Sequence, residues 1–345
     1  MSDARPPIEA MTREGLAEAL ATLGQPRYRT GQILRWLYAR SVAGFEQMTD
    51  LPAELRSALR QRWDVRGATI ESRQTSRDGT TKYLMRFGDG TAVETVGLPE
   101  QDRLTVCFST QAGCAMGCAF CATGQSGFVR DLLPGEVVEQ VMAVGTDLGR
   151  RVTNAVAMGQ GEPFANYDAV MGALRLLNSP DGLGIGARHL TVSTCGLLPQ
   201  LHRFAGEPEQ FTLAVSLHSA VQATRDRLMP GVRGTSIAAL REALVGYASV
   251  TGRRPTVEYA LAAGVNDTDA ELGALVEFCR AMLVHVNLIP INPAGSSGFA
   301  RSTSERARRF RDRLMASGTE ASIRVERGAD IDAACGQLRQ HVEGA

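Results

Sequence analysis

The sequence predicts an α/β fold: a partial (β/α)6-type TIM barrel preceded by a small helical N-terminal accessory domain. Three observations carry this expectation. Residues 1–65 read as helices alone. From residue 103, apolar strand-like runs alternate with helical stretches in at least six successive units, the pattern of a parallel sheet with crossover helices. The residues that follow these runs, at 159–163, 193–196, 216–219 and 292–293, are polar or glycine-rich. Barrels of this kind place their chemistry at those strand ends.

Within residues 1–65, Thr12 is placed to cap a helix carrying Leu16, Leu20 and Leu23 on one face. TGQILRWLYAR and LPAELRSALRQRW repeat that pattern, the second with Pro52 near its start. Residues 66–102 read as a β-hairpin extension, GATIESRQTS, TTKYLMRF and TAVETVGL, with turn chemistry at Gly88, Asp89 and Gly90. Residues 103–345 supply the barrel and a C-terminal loop. Its expected strands are RLTVCFST, TNAVAMG, RHLTVST, FTLAVSLH, PTVEYAL, HVNLIPIN and ASIRVER. Helices such as PGEVVEQVMAVGTDL, NYDAVMGALRLLN, SIAALREALVGYAS and DAELGALVEFCRAML lie between them.

Composition excludes several classes. In 345 residues, 44% are hydrophobic and 21% charged, which rules out a disordered or fibrous chain. No apolar run approaches the roughly 18 residues of a membrane span, and the charged N-terminus lacks a secretory h-region, so a cytoplasmic protein is expected. The 37 basic and 37 acidic residues cancel, so any nucleic-acid surface must be a local patch. Lys82 is the only lysine. A GC-rich genome accounts for that skew, although arginine also grips phosphate bidentately. RARRFRDR, at 306–313, reads as a solvated helix face, with an RNA contact as the alternative. Up to residue 75 the chain holds 11 arginines against 9 acids, a mildly basic surface.

Seven cysteines, three of them within eight residues, do not make a secreted disulfide framework; they point to metal or redox chemistry in a reducing compartment. Cys114, Cys118 and Cys121 follow a C-x3-C-x2-C spacing directly after the first barrel strand, with small residues between that let the backbone wrap tightly. Three soft thiolates suit zinc or an iron–sulfur cluster. Structural zinc would want a fourth ligand, and only Cys107 is near in sequence, pointing from the strand rather than the loop. Three ligands on a cubane leave one iron open, able to chelate the amino and carboxylate groups of S-adenosylmethionine (SAM). Period two sets Thr105, Cys107 and Ser109 on the polar face of their strand. Cys335 sits among small residues beside Gly336. Cys195 and Cys279 read as buried small hydrophobes.

The three-cysteine spacing, with Phe120 before its last member and the strand-end run 159–163 in order, resembles the radical SAM superfamily. The stretches VETVGLPEQDRLTVCFSTQAGCAMGCAFCATGQSGF, MGQGEPFANYDAV, LTVSTCG, SLHS, RDRLMPG, VNLIPINP and GADIDAACGQL resemble, in the same order, the RlmN/Cfr family of adenosine RNA methyltransferases. That resemblance runs from about Glu94 to Leu338, and more weakly through the N-terminus. Gln160 stands where methionine is frequent in the family, and Cys195 where serine is common.

The resemblance implies a radical SAM methyltransferase acting on carbon 2 of an adenosine in the peptidyl-transferase centre of 23S rRNA, and on the adenosine 3′ of the anticodon in tRNA. Carbon 2 is an electron-poor amidine carbon, so polar methyl transfer fails and a radical route is needed. The implied cofactors are a 4Fe-4S cluster on Cys114, Cys118 and Cys121, and two SAM molecules per turnover. By the same resemblance Cys335 is first methylated, and its S-methyl group then loses a hydrogen to a 5′-deoxyadenosyl radical and adds to the base. Glu94 accepts a proton, and Cys107 attacks Cys335 to form a disulfide and free the RNA. Gly161 and Glu162 match the contact to the SAM amino group; Ser193, Ser216, Leu217, His218 and Asn292 match the other cofactor contacts. A flavodoxin-like reducing donor and a monomeric, cytoplasmic enzyme are implied. The alternatives are a Cfr-type enzyme that methylates carbon 8 and confers antibiotic resistance, and a non-catalytic, metal-stabilised RNA-binding protein. Gly161-Glu162-Pro163 and Ile291-Asn292-Pro293 lean to the carbon-2 side. Read alone, His218 would be a satisfied strand-end histidine, Asn292 a turn residue, and Glu94 an exposed glutamate in a salt bridge.

Overall fold

The computed structural model describes residues 5–40, 42–65, 67–292, 298–334 and 336–338. Its strands are β1 (Thr69–Thr75), β2 (Thr81–Arg86), β3 (Ala92–Glu100), β4 (Arg103–Cys107), β5 (Gln111–Gly113), β6 (Phe128–Asp131), β7 (Asn154–Ala157), β8 (Leu190–Thr194), β9 (Thr212–Ser216), β10 (Thr256–Leu261), β11 (His285–Pro290) and β12 (Glu320–Ile323). Its helices are α1 (Arg13–Thr22), α2 (Tyr28–Leu34), α3 (Ala53–Arg62), α4 (Ala122–Gln125), α5 (Pro134–Asp147), α6 (Tyr167–Asn178), α7 (Leu198–Ala205), α8 (Gln222–Leu228), α9 (Ile237–Thr251), α10 (Asp269–Cys279) and α11 (Ser304–Ala316).

Ten strands make one sheet in the order β1-β2-β3-β4-β7-β8-β9-β10-β11-β12. From β4 to β12 every neighbouring pair is parallel, with α5, α6, α7, α8–α9, α10 and α11 supplying the crossovers. Apolar side chains dominate these strands because parallel strands are covered on both faces. In β10, for example, every residue after Thr256 is buried. Among the described residues β12 does not pair back to β1, so the barrel is open, as expected of a partial one. Parallel pairing brings all the strand C-termini to one end, and this places the site.

The N-terminal helices form for local reasons. Thr12 Oγ1 accepts from Gly15 N–H at 3.1 Å, the expected cap of α1. Leu16 and Leu20 are buried; each contributes about 1.5–3 kcal/mol on burial. α2 continues into a π-helical turn at Arg35–Ala39, and α3 starts behind Pro52. Their apolar faces share one continuous core with α5, α6 and the barrel strands. Arg13 and Arg35 both pair with Asp181 beyond α6, at 2.8 and 2.9 Å.

β1 to β4 form an antiparallel meander on the barrel's leading edge. The expected β2–β3 turn is present, closed by Phe87 N–H donating to Thr91 O at 2.9 Å. The separate β5–β6 ladder is not foreshadowed by the sequence pattern. Strands of three and four residues are too short to show a period of two. Among the described residues no helix is long and apolar enough to cross a membrane.

Candidate active site

Beyond β4 the chain crosses β5 and enters the cysteine loop. Gly113 has φ +72°, and a Cβ there would stand 2.0 Å from Gly127 O, so only glycine lets β5 and β6 close beneath the loop. Cys114 N–H donates to Gly127 O at 2.8 Å, Ala119 N–H to Leu228 O at 2.9 Å, and Cys121 N–H to Cys118 O at 3.0 Å. Met116 O accepts from Gly231 N–H at 2.9 Å. The loop is thus held from both sides, by β6 and by the segment after α8.

Cys114, Cys118 and Cys121 line one cavity at the C-terminal end of the barrel, with Gly161, Glu162, Ser193, Ser216, His218 and Asn292. Its volume, about 180 Å³, far exceeds the roughly 10–15 Å³ that one water needs. Burial pushes the Cys114 thiol up to about 11. It pushes Cys118 further, helped by the charges of Cys121 and Cys114. Two thiols held this high do not ionise unaided. A cationic group bound among them reverses that balance, because metal binding selects the thiolate. Among the described residues no three ligating side chains are drawn together as a ready-made metal site. The fit to an iron–sulfur cluster rests on three soft donors lining one cavity, which also holds polar groups suited to an amino acid.

The strand-end residues are organised around Glu162. Its carboxylate is buried and accepts from Thr194 Oγ1 at 2.6 Å, Cys195 N–H at 2.8 Å and Phe164 N–H at 3.0 Å. Burial raises its pKa and these three bonds oppose the rise. Its own N–H donates to Gln111 Oε1 at 2.8 Å. Glu162 therefore locks β7 to β8 and still borders the cavity. Gly161 has φ +98°, and a Cβ there would lie 2.6 Å from Gln111 Cβ.

His218 also has a positive φ, 56°. Its Nδ1 accepts from Ala260 N–H at 3.0 Å, which leaves the ring proton on Nε2. Burial, and then the charge of Arg225, lower its pKa to about 3. Its ring meets the edge of Phe120 at 4.9 Å, 85° between planes. The histidine is thus both satisfied at the strand end and a wall of the cavity. Asn292 Oδ1 accepts from Arg301 at 2.8 Å. Leu217 differs: its side chain is fully buried in the main core and does not line the cavity, and its N–H donates to Glu258 O at 3.0 Å.

A second cavity adjoins the first through shared walls at Met158, Ile289, Asn292, Arg324 and Leu338. Cys107 lines it, buried on β4 opposite Val96, together with Ala333 and Ala334. Cys335 lies outside the described residues. The residues flanking it are tied down: Ala122 N–H donates to Gly336 O at 2.8 Å, Thr123 Oγ1 to Leu338 O at 2.7 Å, and Gly328 N–H to Asp78 at 3.1 Å. Glu94 is buried rather than exposed, and pairs with Lys82 at 3.1 Å. It lies one pleat from Val96 on the face of β3 that Cys107 shares. It lines neither cavity.

Sequence reasoning missed several groups. Gln111 and Thr194 support Glu162, and both stand inside motif stretches that offered the only signal for them. Glu258 and Arg324 line the first cavity from β10 and from beyond β12. Cys195 is buried as expected, yet borders the cavity, with its thiol 3.4 Å from Met116 Sδ.

Residues 8–65 match the ribosomal RNA large subunit methyltransferase N-terminal domain, and residues 108–279 match the radical SAM superfamily. The probable dual-specificity RNA methyltransferase RlmN of Thermoanaerobacter sp. is 43% identical over 334 residues, which cover 96% of this chain and 97% of that protein. The protein of the same description from Moorella thermoacetica is 44% identical over 341 residues, 96% of each chain. A radical SAM methyltransferase from Sphaerobacter thermophilus has a crystal structure that superposes with a TM-score of 0.90 at 45% identity. It covers 97% of this chain and 100% of its own.

Proposed function

Since the chain belongs to the RlmN family of radical SAM RNA methyltransferases, we propose that it methylates carbon 2 of an adenosine in 23S rRNA and of the adenosine 3′ of the anticodon in tRNA. In this reading Cys114, Cys118 and Cys121 hold a 4Fe-4S cluster. Gly161, Glu162, Ser193, Ser216, His218 and Asn292 surround SAM, and Leu217 contributes backbone only. The cluster and SAM, when bound, supply the one-electron bond cleavage and hydrogen abstraction that the electron-poor carbon requires.

The protein's own groups do the rest. Cys335 carries the methyl group to the base. Glu94, its charge balanced by Lys82, takes the proton. Cys107 attacks the Cys335 sulfur, so that an S–S bond forms as the C–S bond to the RNA breaks; a cellular reductant then reopens the disulfide. Glu162 directs fixed acceptors at an ammonium, and His218 presents Nε2–H to an acceptor.

The observation that carries this reading is the shared wall of the two cavities. It joins the cysteine loop to a chamber lined by Cys107 and by Ala333, Ala334 and Leu338 from either side of Cys335. The target base must be splayed out to enter. We also propose that the chain divides into residues 1–65, 66–102 and 103–345, the first unit holding RNA. In this reading it works as a cytoplasmic monomer fed by a flavodoxin-like donor.

The test is anaerobic incubation with SAM, reductant and an unmodified 23S rRNA fragment or tRNA, followed by nucleoside mass spectrometry. 2-Methyladenosine in both RNAs is the expected result. 8-Methyladenosine would move the protein to the Cfr side of the family. Cofactor cleavage with both RNAs unmodified would overturn the substrate assignment.

A further inference from the structure

A guanidinium stands behind the cysteine loop with little to hold. Arg225, on α8, is fully buried. Its Nη2 donates to Cys195 O at 2.8 Å, while Nε and Nη1 are buried with no hydrogen-bond partner. Asp226, its chain neighbour, accepts from Gln222 Nε2 at 2.8 Å instead. A buried cation that makes one bond to a neutral carbonyl is strongly destabilising unless an anion offsets it. A purely structural tie to Cys195 O would need one donor and no charge.

The acidic groups that feel this charge are Cys195, then Asp226 and Cys118, and of these Cys118 belongs to the cysteine loop. Arg225 cannot drift from them. Leu228 O and Gly231 N–H fasten its segment to the loop at Ala119 and Met116, each at 2.9 Å. A Cβ on Gly231 would meet Met116 Cα at 2.6 Å, so the two backbones are in close contact. Leu228, Met229 and Val232 pack with Met116, Cys118 and Phe120.

We propose that Arg225 is the fixed counter-charge of the cluster held by Cys114, Cys118 and Cys121, a positioning residue that raises the cluster's affinity for an electron. The proposal rests on the cluster reading above. Reduction adds one electron from an external one-electron reductant and no proton, so the cluster's net charge falls by one. A permanent positive charge buried in low-dielectric protein behind the cysteine loop would stabilise the reduced form more than the oxidised one.

The experiment uses the full-length protein, reconstituted anaerobically with iron and sulfide, as wild type, Arg225→Met and Arg225→Lys. Iron content, melting temperature and an electron paramagnetic resonance redox titration are measured, without RNA. Arg225→Met is expected to hold about tenfold less reduced cluster at a fixed poise, a shift of about 59 mV to more negative potential for a one-electron couple. Arg225→Lys keeps the charge and should titrate close to wild type. Failure of Arg225→Met to retain iron, with Arg225→Lys retaining it at the wild-type potential, supports the same conclusion. Coincident wild-type and Arg225→Met titrations would overturn it. So would a lysine variant shifted as far as the methionine one, or loss of iron from both, since packing rather than charge would then decide. A wild-type protein without an iron–sulfur chromophore would instead topple the cluster reading, before any variant is compared.

Discussion

Gly161 shows how little freedom a single strand-end position has. Its φ of +98° and the 2.6 Å approach to Gln111 Cβ exclude a side chain on two separate grounds. Gly161→Ala should cost about 1–3 kcal/mol in backbone strain. It should also displace Gln111, whose Oε1 holds the Glu162 N–H. Binding of SAM, followed by calorimetry on the reconstituted protein, should weaken at least tenfold; unchanged affinity would show that the Gln111–Glu162 link does not shape the cavity. His218 gives a second residue-scale expectation. Its folded pKa of about 3 lies below the ordinary value of about 6.5. Between those pH values the unfolded chain binds a proton that the folded chain refuses. This contribution to stability is complete above about pH 6.5 and is lost as pH falls toward 3, at up to about 1.4 kcal/mol per pH unit. Urea midpoints at pH 4.5, 5.5 and 7 should fall more steeply for wild type than for His218→Gln. Parallel slopes would contradict the burial of a neutral imidazole.

At the scale of elements, the β1–β2 turn clamps the C-terminal segment. Asp78 accepts from Thr80 N–H at 2.8 Å and from Gly328 N–H at 3.1 Å, and Ser76 bonds Asp330. Burial alone would raise the Asp78 pKa, but these bonds outweigh it and hold the carboxyl at about 2. Asp78→Ala removes bonds worth about 1–3 kcal/mol. Amide exchange across residues 328–338 should accelerate about tenfold or more, with the barrel strands unaffected. Uniform acceleration would mean that the turn supports the whole fold instead. That clamp was invisible in the sequence, because it joins residues some 250 positions apart through side chains that look like ordinary turn polars. What could be read was local or chemical. Thr12 and Pro52 marked helix starts, the turn at Gly88, Asp89 and Gly90 marked the β2–β3 pair, and three cysteines in eight residues pointed to metal chemistry without any fold. β5 and β6 escaped because they are too short to alternate. Glu94 and Leu217 escaped for another reason: burial depends on what packs above a residue, and strand position alone does not state it. Arg225 is the extreme case, a charged residue whose helix carries too few apolar positions to announce an inward face.

For the molecule as a whole, the balance of 37 basic against 37 acidic residues decides how RNA can be held. There is no global field to attract a polyanion, so affinity must come from arginines whose charge is not already answered. α11 shows the contrast. It buries Ala307, Phe310 and Leu314, and Arg306 and Arg309 both pair with Asp269, at 2.6 and 2.8 Å. Arg311 pairs with Asp312 at 2.7 Å. Its outward face is a solvated helix surface, as the sequence suggested, with three of its five arginines paired to nearby carboxylates. In the N-terminal helices Arg13, Arg35 and Arg60 are likewise paired. Arg27 and Arg62 are exposed there, and Tyr28 beside Arg27 is 61% exposed with Arg29 over its ring at 5.0 Å, an aromatic platform of the kind that stacks an unpaired base. Arg27→Glu with Arg62→Glu should therefore weaken tRNA binding and flatten its salt dependence. Each lost phosphate contact lowers the slope of log affinity against log salt by about 0.7 to 0.9. Arg308→Glu with Arg313→Glu, exposed on α11 and carrying the same change in net charge, should leave both quantities near wild type. Filter binding across 50–200 mM salt separates the two cases. Equal losses from the two pairs would show that net charge, not a local N-terminal surface, governs the encounter with RNA.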